Sequence, residues 1–254
     1  MAENAFVLFD MSWPEVKENL SKIKVAIIPT GSCEQHGPNG TFEVDTARAY
    51  EVAKMLAART YPVSIAVPPV LYGISSHHMN FPGTITMRPE TFMSVCMDVV
   101  DSLYQHGVRK FLFINGHGGN GGALRVLLSE IRDAYEDAAA AMASPTQVAS
   151  DVVAQKCKSP ITGHACESEI SQCMYLAPRA VKQGALEKGT IRLTVEEYKN
   201  PYGIEIARKW DEVSENGALG DATKSSREIG EAIIETAVER LAAFIRGFAA
   251  SSNA

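Results

Sequence analysis

Hydrophobic positions along the chain fall into short continuous runs separated by longer stretches at helical spacing. Lys24 to Pro29 (KVAIIP), Val63 to Val67 and Lys110 to Ile114 (KFLFI) are apolar runs rich in β-branched or aromatic residues, the pattern of strands buried on both faces. Pro68-Pro69 stops the second run. Thr46 to Leu56 has helical spacing, with Ala47, Tyr50, Val52 and Leu56 predicted to face a core. Glu90 to His106 predicts a helix ended by Gly107, and Ala123 to about Ala141 predicts another. Gln147 to Val153 reads as a weaker strand, and Glu167 to Leu176 as a helix ending before Pro178. Val181 to Gly220 is mixed, with turn signals at Asn200-Pro201 and Asn216-Gly217. In the last helix, Ser226 to Phe248, the residues Ile229, Ile233, Ile234, Val238, Leu241 and Ile245 form one apolar stripe.

Strands alternating with helices predict an α/β fold: a single domain over 1–254 with a mainly parallel sheet flanked by helices. Ligands of such sheets sit beyond the carboxyl ends of the strands. The polar loops after KVAIIP and after KFLFI lie at that end.

Composition narrows the class. Of 254 residues, 46% are hydrophobic and 21% charged, which excludes a disordered or collagen-like chain. Lys and Arg number 24 against 30 Asp and Glu, a formal charge of −6 that gives no general attraction to nucleic acid or to an anionic membrane. The five cysteines include no C-x-x-C pair and read as small packing residues. Met1 to Asp10 lacks a basic signal region, and no apolar run approaches the roughly 20 residues of a membrane span. The expectation is a cytoplasmic, soluble protein.

Three segments could carry chemistry. In the first loop, Glu34 and His36 are two residues apart, so an extended backbone points both side chains the same way, and Asp45 follows at the mouth of a helix. Carboxylate and imidazole together suit a borderline divalent metal, although Asp near a helix start is favoured in any case. The second loop, Asn115-Gly-His117-Gly118-Gly119-Asn120-Gly-Gly122, follows a strand directly. It matches neither G-x-G-x-x-G nor a P-loop, so delivery of His117 beside the first loop is a better use of the turn than phosphate binding. The third segment, Gly163-His164-Ala-Cys-Glu167-Ser-Glu169-Ile-Ser171, would put His164 and Glu167 on one helical face. It could equally be a helix start whose acidic residues complement the dipole.

Taken together, these segments resemble the creatininase family of metal-dependent amidohydrolases. Gly31, Glu34-Gln-His36-Gly-Pro38 and Asp45 match its first motif, Asn115 to Asn120 its N-G-H-G-G-N motif, and His164, Ala165, Glu167, Glu169 and Ser171 its third. Phe81-Pro-Gly-Thr84, preceded by Gly73, Ser75 and His78, and Gly220-Asp221-Ala-Thr223 extend the match over nearly the whole chain.

The resemblance implies a three-layer sandwich with two divalent ions, Zn, Mn or Fe, per chain. Asp45 would bridge them, Glu34 and His117 would hold one, and His36 the other. The glutamate that completes the second ion's ligand set in creatininase proper falls at Gly119 here, so Glu167 is the expected replacement, with Glu169 as the alternative. Water activated by the ions would attack an amide, cyclic amide or formamide C–N bond, with His164 as general acid. Ser75, His78 and Gly118 would contact a small polar substrate. Asn39 stands where the family commonly has histidine, and tryptophan is absent just before His164. Creatinine itself is therefore not the expected substrate. The resemblance also implies a homo-oligomer, in this family often a hexamer. Two alternatives share the metal centre: a lactonase-like C–O hydrolase and a non-catalytic metal-binding protein.

Overall fold

The computed structural model describes residues 6–194, 197, 204 and 206–252. Helix α1 (Trp13–Asn19) precedes the first strand. Four strands form one parallel sheet: β1 (Val25–Thr30), β2 (Ser64–Ala66), β3 (Lys110–Asn115) and β4 (Ala139–Ala143), in the order β2-β1-β3-β4. β1 and β3 run in register from Val25 opposite Lys110 to Thr30 opposite Asn115. The chain leaves β1 toward β2 on one side, then returns to add β3 on the other. The β1/β3 pair is thus the point where the winding reverses and the following loops diverge, opening a crevice at their carboxyl ends.

Alternation along the strands builds the three layers. Ala26, Ile28, Phe111 and Phe113 face one way and pack with α3 (Pro89–Gln105) and α4 (Gly121–Ala134). Val25, Ile27, Leu112 and Ile114 face the other way, against α2 (Val44–Arg59) and the C-terminal helix Arg227–Ala250. Both faces are covered, which is why these strands read as continuous apolar runs. Among the described residues, no helix is long and apolar enough to cross a membrane.

The sequence expectation fails in two places. The helix predicted to run to Ala141 ends at Ala134, and Ala139–Ala143 is strand β4. Alanine favours helix intrinsically, but here the segment pairs with β3 and Arg109 binds Asp137 ahead of it. Gln147 to Val153 is not a strand but parts of two short helices, α5 (Pro145–Val148) and α6 (Ser150–Lys156). Pro145, with its φ fixed, opens the first of them. The Asn200-Pro201 turn lies outside the described residues.

Helix α7 (Glu167–Leu176) crosses the C-terminal helix at very short range. A Cβ at Gly230 would lie 1.8 Å from the Ser171 carbonyl oxygen, so only glycine fits without moving a backbone. The Ser171 hydroxyl accepts the Ser226 N–H at 3.0 Å, and Ser226 caps the last helix through Ile229 N–H. The crossing fixes the start of α7 and the side chains it carries. Gly230→Ala should cost about 1–3 kcal/mol by overpacking. An unchanged midpoint in denaturant unfolding would show that the two helices can separate freely.

Candidate metal centre at the carboxyl ends of β1 and β3

The loop after β1 delivers Glu34 and His36, the start of α2 delivers Asp45, and the turn after β3 delivers His117. All four are buried. His117 Nδ1 lies 3.2 Å from Glu34 Oε1 and 3.2 Å from Asp45 Oδ2, and His36 Nε2 lies 3.4 Å from Asp45 Oδ1. The third segment adds His164, whose Nδ1 is 3.6 Å from Glu34 Oε1, and Glu169, whose Oε2 is 3.7 Å from His36 Nε2. His78 Nε2 is 3.7 Å from Glu34 Oε1.

Backbone carbonyls fix which ring nitrogen faces inward. His117 donates from Nε2 to the Ile74 carbonyl at 3.0 Å, His36 from Nδ1 to the Glu34 carbonyl at 3.1 Å, and His164 from Nε2 to the Gln35 carbonyl at 2.7 Å. Each remaining nitrogen is thereby turned toward the carboxylates, and on giving up a proton it would offer its lone pair to a cation held there, as metal-binding imidazoles do. Two buried atoms, His36 Nε2 and Asp45 Oδ2, have no hydrogen-bond partner among the described residues. An unpaired buried polar atom is costly, and two such atoms in one carboxylate–imidazole cluster fit a bound cation. The donor set, nitrogen with oxygen, suits Zn, Mn or Fe.

The electrostatics agree with that reading. Burial alone would raise Glu34, but His117 beside it brings its pKa down to about 2. Asp45 is likewise held well below its ordinary value by His36 and His117, against the opposing effect of burial. Burial opposes the charge on His36 too, yet Asp45 and Glu169 raise its pKa to about 9, and Glu34 and Asp45 raise His117. For His164, burial and then the charge of His36 lower the pKa to about 4, and burial takes His78 to about 2.

Other expected site residues take different places. Glu167 does not join the cluster: its Oε2 accepts the backbone N–H groups of Lys158 and Ser159 at 2.9 and 2.8 Å and the Ser159 hydroxyl at 2.8 Å. The expected shared helical face fails because the helix begins only at Glu167, leaving His164 in the preceding loop. Ala165, between them, adopts φ +49°, with its N–H donated to Glu169 Oε2 at 2.6 Å and its carbonyl accepting Asn39 Nδ2 at 3.0 Å. That turn aims Glu169 rather than Glu167 at His36. Ser75 is fully buried behind Glu34, giving its hydroxyl to Oε2 at 2.6 Å, so it supports the carboxylate instead of facing a substrate. Gly119 admits no side chain: a Cβ there would lie 2.2 Å from the Ile74 carbonyl and 2.4 Å from His117 Nε2.

A cavity of about 730 Å³ opens above the cluster. Glu34, Asp45, His117 and His164 form its floor, and His78 and Gly118 also line it. Sequence reasoning missed Trp210, whose ring centroid lies 4.6 Å from that of His78 and 5.0 Å from that of His164. It also missed Gln35, which donates to His78 Nδ1 at 2.8 Å and leaves that ring's Nε2 proton facing Glu34. The only signal for Trp210 was its rarity, since the other tryptophan, Trp13, is 74% exposed.

Fold and cluster together describe a candidate metal centre in an α/β fold, set at a strand-order reversal. The profile of the creatininase family, described as creatinine amidohydrolase, matches residues 9–245, and the chain belongs to that family. A Pseudomonas putida creatinine amidohydrolase is 27% identical over 263 residues, covering 97% of this chain and 98% of its own. A Mycobacterium tuberculosis mycofactocin precursor peptide peptidase is 29% identical over 233 residues, covering 85% and 84%. A solved Bacteroides fragilis structure described as a creatinine amidohydrolase superposes with a TM-score of 0.86 at 26% identity, covering 99% of this chain and 98% of that one. These relatives are hydrolases by name.

The opposed histidine shifts give a signed pH dependence for the metal-free protein. Below about pH 6.5 the unfolded chain takes up protons that buried His78 and His164 refuse, so stability rises with pH up to that point. Above it, His36 and His117 keep protons that the unfolded chain has lost, so stability falls as pH rises toward about 9. Glu34 and Asp45 stabilise above about pH 4.5 and lose that contribution as pH falls toward 2. Chelator-treated protein should therefore show its highest denaturation midpoint near pH 6.5. A midpoint that climbs steadily to pH 9 would contradict these assignments.

Proposed function

We propose that the chain is a two-metal-ion hydrolase cleaving a C–N bond. The reading is carried by the unpartnered buried pair His36 Nε2 and Asp45 Oδ2, set among further carboxylates and imidazoles. Glu34 and His117 would hold one ion and His36 and Glu169 the other, with Asp45 shared between them. Glu169 takes the place first expected of Glu167, because only its carboxylate approaches His36. Solved creatininases named for zinc and manganese forms support the fold and this metal class. When bound, such ions would lower the pKa of a coordinated water and polarise the scissile carbonyl.

The chain's own groups supply the rest. Ser75 and the His117 ring keep Glu34 ionised and oriented. His164 rests neutral at pH 7, so its inward Nδ1 can take a proton from the attacking water and then return it to the departing nitrogen. His78, Gly118 and Trp210 wall the substrate space.

The substrate is an amide, cyclic amide or formamide. A second reading, a peptide amide, is favoured by the cavity of about 730 Å³, roomy for a small cyclic amide, and by the relatives named peptidases. A turnover screen of metal-loaded protein over formamides, lactams, cyclic ureas and short peptides distinguishes the two. Turnover of lactones alone would move the assignment to C–O hydrolysis. The family resemblance also carries a cytoplasmic homo-oligomer, a hexamer among the options; a monomer by light scattering at micromolar concentration contradicts the assembly.

Purified protein should contain divalent metal. Fewer than about 0.2 ions per chain, unrestored by Zn²⁺, Mn²⁺ or Fe²⁺, would sink the proposal. His164→Ala should retain its metal and lose turnover by about 10²–10⁴-fold; an unchanged kcat removes it from proton transfer. Glu169→Gln should lower metal occupancy while Glu167→Gln does not, and the reverse pattern would restore Glu167 as the ligand.

A further inference from the structure

The cavity above the cluster has two characters. Its floor is built of carboxylates and imidazoles, whereas its upper wall carries Leu193, Ile206, Val213 and Trp210, with Arg208 among them. Ile206 is 58% exposed, an apolar side chain at the mouth of a polar site. Small-molecule sites pair such apolar walls with a few placed polar groups. Among the described residues, Arg208 is the one lysine or arginine that lines the cavity.

The two arginines near the centre are used differently. Arg48, on α2, is 5% exposed, and its guanidinium is bonded to Glu169, Gln172 and Thr146. Arg208 is half-buried and, among the described residues, has no hydrogen bond or close ion pair. Glu197 also lines the cavity and attracts Arg208 through space, but its Oε2 accepts the Thr194 N–H at 2.8 Å. A guanidinium presents a planar fork of donors that matches a carboxylate. The backbone that carries this fork is pinned. Lys209 Nζ donates to the Ser76 carbonyl at 3.2 Å, Trp210 Nε1 to the Gly217 carbonyl at 2.8 Å, and Asn80 Nδ2 to Asp211 Oδ1 at 2.9 Å. Arg208 and Trp210, separated by the extended residue Lys209, line the same cavity. The Trp210 ring lies 5.0 Å from that of His164, the group proposed to protonate the departing nitrogen. Arg208 therefore belongs to the wall on the leaving-nitrogen side.

We infer that Arg208 binds a carboxylate on the amine half of the substrate, so the bond cleaved joins an acyl group to an apolar amino acid whose own carboxylate is free. Leu193, Ile206 and Val213 receive the apolar side chain of that amino acid. In the reaction the C–N bond breaks, the water oxygen goes to the acyl carbon and a proton goes to the nitrogen. The products are a carboxylic acid and an amino acid. The inference rests on the C–N hydrolase reading above and names its substrate class.

The test compares amides with and without that carboxylate, using the metal-loaded full chain. The pairs are N-formyl-leucine against N-formylisopentylamine, and glycyl-leucine against glycylisopentylamine, isopentylamine being leucine without its carboxylate. Wild type should prefer the leucine compound by about 10–100-fold in kcat/KM, chiefly through KM. The acyl pair that turns over tells a small-acyl substrate from a peptide. In Arg208→Gln the ratio should fall to near one, and Arg208→Lys should recover part of it. A wild-type ratio near one, or a ratio kept in Arg208→Gln, would overturn the inference and leave the hydrolase reading standing. A second readout needs no turnover. Leucine and isopentylamine, the amine products, are titrated into the protein as purified while tryptophan emission is followed, with Trp210→Phe as the control. Leucine should bind at least about tenfold more tightly, and Arg208→Gln should abolish the difference. Equal binding overturns the inference whether or not any amide is cleaved, whereas failure to cleave every amide in the screen overturns the hydrolase reading.

Discussion

Buried negative charge is the constraint around which this molecule is arranged. Glu34, Asp45 and Glu169 are carboxylates sunk at the closed end of a crevice, where an unpaired charge would cost several kcal/mol. The chain answers with imidazoles held in one orientation by backbone carbonyls, with Arg48, and with hydroxyls from Ser32 and Ser75. Among the described residues, His36 Nε2 and Asp45 Oδ2 still lack a hydrogen-bond partner. Under the proposed function a bound cation would complete the compensation, and the carboxylate set that burdens the fold would also equip it for hydrolysis.

The fold's contribution is placement. The reversal of strand order between β1 and β3 puts two loops side by side that are far apart in sequence, and the register Thr30 opposite Asn115 aligns their starting points. The tight crossing of α7 on the C-terminal helix, permitted by Gly230, sets the height at which Glu169 enters. Asn39 ties the first loop to the third through the Ala165 carbonyl and to Glu187 through both its backbone groups. Asn39 is thereby a buried tether between segments of the site.

Much of this was legible in the sequence, for physical reasons. β1 and β3 are covered on both faces and so announce themselves as apolar runs, and Glu34, His36, Asp45 and His117 lie at their ends. β4 was not legible, because Ala139–Ala143 carries the residue best suited to helix and takes its strand geometry from β3. The choice between Glu167 and Glu169 depended on where a helix begins and on a left-handed turn at Ala165, neither of which residue spacing fixes. Trp210 and Arg48 were hidden for opposite reasons. Trp210 reaches the site from a distant segment, whereas Arg48 has the sequence pattern of an ordinary charged position on an amphipathic helix.

The central claim is that two divalent ions share Asp45 between the Glu34–His117 and His36–Glu169 pairs. Anomalous diffraction from crystals soaked in Zn²⁺ or Mn²⁺ tests it most directly. The account predicts two peaks flanking Asp45, one against Glu34 and His117 and the other against His36 and Glu169. Ions bound elsewhere while Asp45 and His36 Nε2 stay bare, or a peak held by Glu167, would contradict it.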